Sequence, residues 1–558
     1  NNLITADKQA DPTFIANTRA TLVLSGAVVG ITSGVNIDQY SVTINGSTVT
    51  YTAQTNDGYD EVLTGLKTAI DGLSISGLTV TKYAGSLELD RVVSGTRTAF
   101  TISAKGGLDN SKLGVFQDQV DNVSQLPAQS FQDHVVKIIN TTSDKDTYFA
   151  KFVADNGTSG TGFWKETRDP SKSPGLDSAT MPHELINSSV NNFQLRRVTW
   201  TEREVGDDET NSHPSFVGKK IQQAFFYNNR LGFLSEDNVS MSQAAQFFNM
   251  YHTSAQTVTD ADPIDLKATS TKPVALHSVL PSTQGLVLFS ANQQFLMGST
   301  EGILTPTKTV IRTIANFEMD TKINPVDTGT TINFISKTPS YTRVFAMVTR
   351  GENENPQVAD IGKVVNEWIP SNMDTMIASA QNQFIAFSGQ SSKYIYLFRQ
   401  YTEGKDILLQ TWFNWEAPGT VQTIASDSDE LFAVTKQQGG QLTLSKASLS
   451  QSPEDAIIVN NVGTKINPCM DLYATASSVA YDSTNRFSKC YIPWNNVTDL
   501  TPVLIIKGTT ATGNYIESGF TVTPEVITDD GNPYFKVVNK DLTSVASDVV
   551  VGWKYDLN

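Results

Sequence analysis

Apolar and polar residues alternate regularly between residues 39 and 105, and the pattern turns helical once. The stretch SVTINGSTVTYTA predicts two strands joined at Asn45-Gly46, because this dipeptide favours the tight turn of a hairpin. A helix is predicted next, because apolar residues recur at helical spacing. These residues are Val62, Leu63, Leu66, Ala69 and Ile70. LTVTKYAGSLELDRV and TAFTISAKGG predict further strands, which completes a small ββαββ module of the α+β class.

Pairs of apolar strands recur after residue 215. The first strands of five such pairs begin near Phe225, Leu286, Ile332, Phe384 and Leu431, so the successive offsets are 61, 46, 52 and 47 residues. A hairpin repeated about every 40–50 residues is typical of β-propeller blades. One small sheet cannot bury both of its faces alone, and stacked blades bury them against each other. The pattern therefore predicts a propeller-like core over residues 216–465.

The rest of the chain completes a predicted division into five regions. Residues 1–38 are expected to be an irregular or β segment that completes a domain beginning upstream. Residues 39–130 hold the α+β module, and 131–215 a β segment and connector. Residues 466–558 are expected to form a β-rich sandwich or barrel that continues beyond this chain. We therefore predict a mainly β protein: a β-propeller-like core of repeated hairpins, an inserted small α+β module and a C-terminal β domain.

Composition adds that the protein is large, globular and acidic. The chain has 558 residues, 39% of them hydrophobic, and no run approaches the ~18 consecutive apolar residues of a transmembrane helix. Its 41 basic and 57 acidic residues give a net charge of −16. A protein that binds DNA tightly and sequence-specifically usually presents a basic face, and no cluster of basic residues provides one here. Contact with DNA, if it occurs, is expected to be weak.

Residues able to carry out chemistry are scattered along the chain. The histidines follow no metal-binding or catalytic spacing, so we interpret them as surface or packed residues: His134, His183, His213, His252 and His277. Two acidic clusters lack the alternating ligands, glycine turn and late glutamate of a calcium loop, and we interpret them as solvated loops. They consist of Asp207, Asp208 and Glu209, and of Asp260, Asp262 and Asp265. We predict no catalytic residue, metal or cofactor, since nucleotide-binding and serine-hydrolase motifs are also absent.

Two further groups leave alternatives open. Cys469 and Cys490 are able to form one disulfide, but two unrelated buried thiols are the simpler interpretation. Trp412, Phe413 and Trp415 are candidates to stack on sugars, although an alternating β segment more often buries such rings in its core.

One stretch carries short sequence motifs, called phrases below, that resemble those of a known family. They are Trp164–Thr167 (WKET), Thr180–Leu185 (TMPHEL), Trp200, Pro214–Gly218 (PSFVG), Phe225–Ser235 (FFYNNRLGFLS), Phe247–Asn249 (FFN), Asp262–Asp265 (DPID), Gln294-Phe295 and Gly302–Thr305 (GILT). This set of motifs resembles that of the tail tubular protein B, or nozzle, family of short-tailed bacteriophages (podoviruses). The similarity in layout covers nearly the whole chain, and its specific phrases cluster between residues 160 and 310.

The resemblance implies a structural protein of the virion tail and not an enzyme. It implies a homohexameric ring that docks on the tail adaptor ring, helps to hold the tail fibres and meets the host envelope at its distal end. Its lumen would retain double-stranded genomic DNA and conduct it during ejection. The acidic balance agrees with such a conduit, because strong basic contacts would hold the phosphates.

The phrases themselves are expected to have structural roles. Asn229–Gly232 is interpreted as a tight turn between two strands, in which Gly232 allows close backbone approach. Arg230 is expected to bind a neighbouring carboxylate or a second subunit. TMPHELI is expected to pack at a junction between modules. The residues that line the lumen are not predicted.

Two other functions remain as alternatives. One is a glycan-binding or glycan-degrading β-propeller, such as a polysaccharide depolymerase. The other is a secreted adhesin.

Overall fold

A computed structural model gives the fold over most of the chain. It describes residues 3–6, 14–30, 37–107, 110–139, 147–299, 302–348, 355–389, 391–403, 406–417, 419–437, 440–449, 458–459, 465–466, 470–492, 501–507, 521–522, 525–529 and 532–554. The chain divides into two compact units. The first comprises Asn1–Pro281 and Phe295–Arg312, and the second Ser282–Gln294 and Thr313–Asn558. Within the described residues there are 44 strands and one α-helix, which confirms the mainly β prediction.

The predicted α+β module is present near the start of the first unit. Its elements are β1 (Arg19–Leu24), β2 (Gln39–Ile44), β3 (Ser47–Thr52), α1 (Tyr59–Asp71), β4 (Leu78–Tyr83), β5 (Ser86–Val93), β6 (Thr96–Arg97), β7 (Ile102–Gly106) and β8 (Leu113–Phe116). One sheet has the order β3-β2-β7 and the other β4-β5-β1-β8, with β6 beside β5. Glu61 caps α1 by accepting the backbone N–H of Gly58 at 2.9 Å. Both sheets and the apolar face of α1 share one core.

Strand β1 differs from the expectation for residues 1–38. It pairs with β5 and β8 inside the α+β module. The reason is that Ala20, Leu22 and Leu24 alternate along β1 and lie buried in the module core. The remaining boundaries of the five-region division stay predictions.

A second group of strands follows in the first unit. These are β9 (Gln119–Val120), β10 (Gln129–Phe131), β11 (Val135–Ile138), β12 (Tyr148–Ala154), β13 (Ser159–Thr167), β14 (Glu184–Ser189) and β15 (Asn192–Arg196), with a 3-10 helix at Val123–Gln125. The order β10-β13-β12-β11-β9 forms one sheet. Strands β14 and β15 form a separate two-stranded hairpin.

The region of predicted repeats consists of short antiparallel strands. In order they are β16 (Gln223–Tyr227), β17 (Arg230–Ser235), β18 (Asn238–Met241), β19 (Ile264–Lys267), β20 (Leu276–Ser282), β21 (Gly285–Ser290), β22 (Gln294–Gly298), β23 (Val310–Ala315), β24 (Val326–Asp327), β25 (Ile332–Lys337), β26 (Thr342–Val348), β27 (Gln357–Asp360), β28 (Met373–Ser379), β29 (Phe384–Gly389), β30 (Tyr394–Glu403), β31 (Asp406–Glu416), β32 (Thr420–Asp427), β33 (Glu430–Lys436) and β34 (Leu442–Ser448). A 3-10 helix lies at Ile361–Val365.

Strands occur at all five predicted hairpin positions. Consecutive strands pair in sequence order, four strands to a sheet, in β16–β19, β24–β27 and β28–β31, among others. The sheet β32-β33-β34 has three strands among the described residues. The sequence pattern found two strands of each sheet and missed the others. Whether these sheets surround a common axis, as in a propeller, remains a prediction.

Stacking of neighbouring sheets is visible inside the second unit. One face of β28–β31 packs on β25 and β26 through Ile385, Phe387 and Ile335. Its opposite face packs on β32 and β33 through Ala386 and Ile424. A four-stranded sheet is therefore buried on both faces, which is why its central strands read as continuous apolar runs.

The C-terminal region contains two facing sheets, as expected for a sandwich. Its strands are β35 (Ile458–Val459), β36 (Lys465–Ile466), β37 (Met470–Thr475), β38 (Ser478–Asp482), β39 (Phe487–Tyr491), β40 (Pro502–Ile506), β41 (Thr521–Val522), β42 (Glu525–Asp529), β43 (Asn532–Val538) and β44 (Val549–Lys554), with a 3-10 helix at Thr543–Asp548. The orders β37-β44-β40-β41 and β38-β39-β43-β42 enclose a core that includes Phe535 and Trp553. Cys490 is buried in this core, and burial raises the pKa of its thiol to about 12. Cys469 lies outside the described residues, so the alternative of a Cys469–Cys490 disulfide is not tested.

Candidate functional site

The stretch that carries the family phrases begins and ends in one hydrophobic cluster of the first unit. Met181 and Tyr251 are 2% and 1% exposed, and they pack there with Trp200, Phe216 and Phe233. The Trp200 ring lies 6.0 Å from that of Phe233, and the Phe216 ring lies 5.5 Å from it. Residues far apart in the sequence thus meet in one core, which confirms a packing role for the start of TMPHELI.

The turn in the phrase FFYNNRLGFLS lies earlier than predicted. Asn228 and Asn229 have φ angles of 46° and 57° and connect β16 to β17, so Arg230 and Gly232 lie in strand β17. Asparagine tolerates this left-handed conformation, which a two-residue hairpin turn requires at both positions. Gly232 does allow a close approach, but of a side chain: a Cβ at this position would lie 2.2 Å from the Phe225 ring.

Arg230 is buried and binds backbone carbonyl groups. Its guanidinium donates to the carbonyl oxygens of Ser242 at 2.7 Å, Asp262 at 2.6 Å and Asp260 at 2.7 Å. The side chain is 2% exposed, so it does not present a surface to another subunit. Arg230 therefore hydrogen-bonds carbonyl groups and not the expected carboxylate or second subunit, although the Asp262 carboxylate interacts with it electrostatically. Its planar fork joins the end of β18 to the loop that precedes β19.

A second buried arginine, which the sequence did not single out, organises the neighbouring loops. Arg203 is 1% exposed and donates to the Asp208 carboxylate at 2.9 Å and to the carbonyls of Asn211 and Ser173 at 3.1 and 2.7 Å. The Asn211 side chain in turn bonds the His252 backbone in both directions, at 3.0 and 3.1 Å. We call the loops 203–215 and 242–265, together with Arg230, the arginine junction.

The two acidic clusters belong to the arginine junction and are not solvated loops throughout. Asp262 is fully buried and accepts the backbone N–H groups of Thr259 and Thr253 at 2.7 and 3.2 Å and the Thr253 hydroxyl at 3.0 Å. Although burial opposes ionisation, these hydrogen bonds lower the pKa of Asp262. Asp207 caps its own turn by accepting the N–H groups of Glu209 and Thr210, which likewise lower its pKa against the effect of burial.

Asp265, from the same cluster as Asp262, has a pKa shifted in the opposite direction. It accepts the backbone N–H of Ser215 at 2.6 Å and the Ser240 hydroxyl at 3.0 Å. Burial outweighs these bonds and raises the pKa of Asp265. Glu166 of the WKET phrase makes a further tie by accepting the N–H of Ala255 at 2.6 Å and the Ser254 hydroxyl at 3.0 Å. The carboxylates of this region hold loops in place.

The histidines are dispersed, as predicted. His213 bonds the Tyr251 hydroxyl at 2.7 Å, and His183 contacts the Met181 carbonyl at 3.2 Å. His252 lies 3.7 Å from Asp262, and burial lowers the pKa of His277. Over the described part of the chain, no three acidic, histidine or cysteine side chains are grouped as metal ligands would be.

His134 is the one histidine in a buried polar cluster. It is 2% exposed and lies 3.0 Å from the Ser130 hydroxyl and 3.9 Å from Glu88. Burial lowers the pKa of His134 to about 3 and raises that of Glu88 to about 8, so both groups are uncharged near pH 7. Both side chains are almost completely removed from solvent, so this cluster offers no access to a substrate.

The candidate sugar-stacking rings pack on the protein itself. Trp412 lies 4.8 Å from the Phe398 ring and 6.4 Å from Trp368. Phe413 and Trp415 are half-buried on the opposite face of their sheet, with ring centroids 6.0 Å apart. Their packing supports the aromatic-core interpretation.

The β14–β15 hairpin contrasts with the junction, because its large apolar side chains face outwards. Leu185, Phe193 and Leu195 are 66%, 62% and 68% exposed, and Val190 at the tip is 89% exposed. The alternation in ELINSS and NFQLR was visible in the sequence, but such a pattern ordinarily predicts a face buried in the same chain. No described helix is long and apolar enough to cross a membrane.

Comparison with known proteins identifies the family. The family model for the bacteriophage nozzle protein matches residues 1–558. The chain belongs to the bacteriophage nozzle family. It is therefore a structural protein of the phage tail.

A curated relative agrees with this assignment. The chain is 27% identical over 346 residues to the tail tubular protein gp12 of Escherichia phage T7. This match covers 61% of the chain and 42% of that relative, so it spans less than half the length of the curated protein.

Solved structures are similar only at a low level. Hsv2p of Kluyveromyces lactis has a TM-score of 0.29 at 9% identity, covering 54% of this chain and 85% of that one. The Pan2 WD40 domain of Neurospora crassa has a TM-score of 0.24 at 10% identity, covering 62% of this chain and 92% of that one. Scores this low do not establish a shared overall fold.

Proposed function

We propose that this nozzle protein assembles into a homohexameric ring at the distal end of a podovirus tail. The ring docks on the tail adaptor ring, helps to hold the tail fibres, retains the genomic DNA and conducts it into the host at ejection. The observation that carries the proposal is the nozzle-family match over residues 1–558. A tube around a DNA axis requires several copies of one chain, and closed rotational symmetry is the usual solution.

The arginine junction suits a part that must keep its shape under load. Its loops are fixed by charged hydrogen bonds from Arg203 and Arg230 to oxygen atoms of the chain, and such bonds are stronger than neutral ones. No motion of these loops is needed for a passive conduit. The function therefore resides in assembly and not in one reactive group.

Charge supports the proposed passage of DNA. Six copies of a chain of net charge −16 carry about −96 in total, so phosphates are repelled or weakly held. Basic contacts would release counterions and retain the DNA.

The first test is the mass of the purified full-length polypeptide by mass photometry. We expect a species of six subunit masses, seen as rings by negative-stain electron microscopy. Monomers alone at micromolar concentration would contradict the proposal. The second test is binding of a short DNA duplex to the rings at physiological salt. We expect a Kd weaker than about 10⁻⁴ M, the weak end of non-specific binding, and submicromolar binding would contradict the conduit.

A further inference from the structure

The β14–β15 hairpin presents an apolar face on one side. Leu185 lies directly opposite Leu195, and Asn187 lies opposite Phe193. Residues two apart on a strand and residues paired across it share one face, so Leu185, Leu195 and Phe193 point the same way. All three are more than three-fifths exposed.

The opposite face of the hairpin is largely polar. It carries Ile186 with Gln194 and Glu184 with Arg196, whose charged groups form an ion pair at 2.6 Å. The base of the hairpin is fixed, because Met181 lies in the hydrophobic cluster described above and Val198 lies there too. The base is therefore anchored while the apolar face and the tip remain in solvent.

An isolated two-stranded sheet is at best marginally stable in water. The described structure adds no third strand to β14 or β15. With Val190 at the tip, the hairpin exposes on the order of 400 Å² of apolar surface, which is the scale of a functional interaction patch. That is about half of the ~800 Å² that each partner contributes to a stable interface.

We propose that a second copy of this chain covers the apolar face of the β14–β15 hairpin in the ring, so that the hairpin acts as an arm between neighbouring subunits. This inference rests on the ring proposed above and adds the surface by which its copies make contact.

Charge favours a second copy as the occupant. The hairpin from Glu184 to Arg196 contains one acidic and one basic residue, which pair with each other, while the whole chain has a net charge of −16. Two acidic copies repel each other over most of their surfaces, and this neutral apolar face is a place where they make contact without that repulsion.

The composition of the hairpin disfavours a lipid surface. The tip around Val190 contains Ser188, Ser189, Asn191 and Asn192. Both hairpin edges would also bring unpaired backbone groups into the hydrocarbon, where water cannot satisfy them. A protein surface with its own polar groups suits this tip better.

The direct test replaces the apolar face in the full-length protein with Leu185→Ser, Phe193→Ser and Leu195→Ser together. We expect the variant to remain folded, with unchanged far-ultraviolet circular dichroism, and to lose at least tenfold in ring yield by mass photometry. Rings at the wild-type yield would overturn the inference and leave the proposed function intact. Wild-type protein that forms no rings would overturn both.

A control variant changes three exposed apolar side chains outside the hairpin instead: Val123→Ser, Val364→Ser and Leu444→Ser, which are 54%, 85% and 70% exposed. We expect its ring yield to equal that of the wild type. An equal loss in this control would overturn the specific role of the hairpin.

Amide hydrogen exchange of the wild-type protein needs no variant and therefore separates assembly from folding. Residues 184–196 should exchange at least tenfold more slowly in rings than in dilute monomers, because coverage removes their amides from solvent. Equal exchange in both forms would overturn the inference. Protection that appears on adding anionic phospholipid vesicles, but not on ring formation, would assign the face to membrane and overturn it as well.

Discussion

The arginine junction and the β14–β15 hairpin lie in the same stretch of the sequence, but their structures are opposites. In the junction, Arg203 and Arg230 are almost fully buried and donate hydrogen bonds to oxygen atoms of the same chain. In the hairpin, Leu185 and Leu195 are two-thirds exposed. Polar groups lie inside the first region and apolar groups outside the second.

The difference shows whether each region finds its interaction partners within the chain or on another surface. Burying a guanidinium is unfavourable unless several acceptors surround it, and the junction provides them within the chain. Exposing large apolar side chains is unfavourable unless another surface covers them, and the described residues of the chain provide none for Leu185, Phe193 and Leu195. The junction is complete in one subunit, whereas the hairpin becomes complete in the proposed ring.

The largest expected loss in the free energy of unfolding follows from a substitution in the arginine junction. Arg230→Met leaves three carbonyl oxygens without their donors, so the free energy of unfolding of the monomer should fall by about 3–5 kcal/mol. Urea denaturation of the dilute protein measures this loss. The matched control is Arg196→Met in the hairpin, where an exposed ion pair contributes only ~0–1 kcal/mol. Equal losses for the two arginines would remove the distinction between the regions.

The next effect tests how tightly the strand beneath the junction is packed. Gly232→Ala places a methyl group 2.2 Å from the Phe225 ring, and the forced shift should cost about 1–3 kcal/mol. In a Phe225→Ala background the same change should cost much less, because the obstructing ring is gone. Additive losses in the double variant would show that the ring is not the cause.

A smaller effect concerns the pH dependence of the free energy of unfolding. The pKa of Asp262 is below its usual 3.8 because hydrogen bonds from Thr259 and Thr253 outweigh burial. A lowered pKa contributes stability that is present above pH 3.8 and is lost as pH falls through the folded-state pKa. Asp262→Asn should therefore cost about 1–2 kcal/mol at pH 7, and progressively less below pH 3.8. Denaturation curves at pH 7 and 3 decide this, and a constant difference would contradict it.

The smallest effect is expected in the hairpin of the unassembled protein. Leu195→Ser should change the free energy of unfolding by less than ~0.5 kcal/mol, since the side chain is already in solvent. The same exchange at the buried Leu231 should cost about 2–5 kcal/mol. Comparable losses at both positions in dilute monomers would mean that the hairpin face is covered within the chain.

Much of the fold was predictable because central strands are apolar throughout. Phe384–Gly389 is buried at every position and was found, whereas Gln357–Asp360 is a polar outer strand of its sheet and was missed. Strand β1 was separated from its module because the pattern cannot show which distant strand an apolar segment will join.

The site was less predictable for a related reason. The partners of Arg230 are backbone carbonyl groups from two later segments. Every residue has such a group, so the sequence does not show which of them a side chain will bind. No structural role was predicted for Arg203, because only the folded loops bring Ser173, Asp208 and Asn211 around it. The alternation in the hairpin was readable, but whether its apolar face meets the same chain or another one is decided by tertiary structure.

The most direct test of the whole account is a cryo-electron microscopy reconstruction of the tail of intact particles that contain this protein. We predict six copies around the tail axis, with each β14–β15 hairpin seated on the neighbouring copy. A single copy attached to the side of the tail, or a ring in which the apolar face of the hairpin touches no neighbouring copy, would contradict the account.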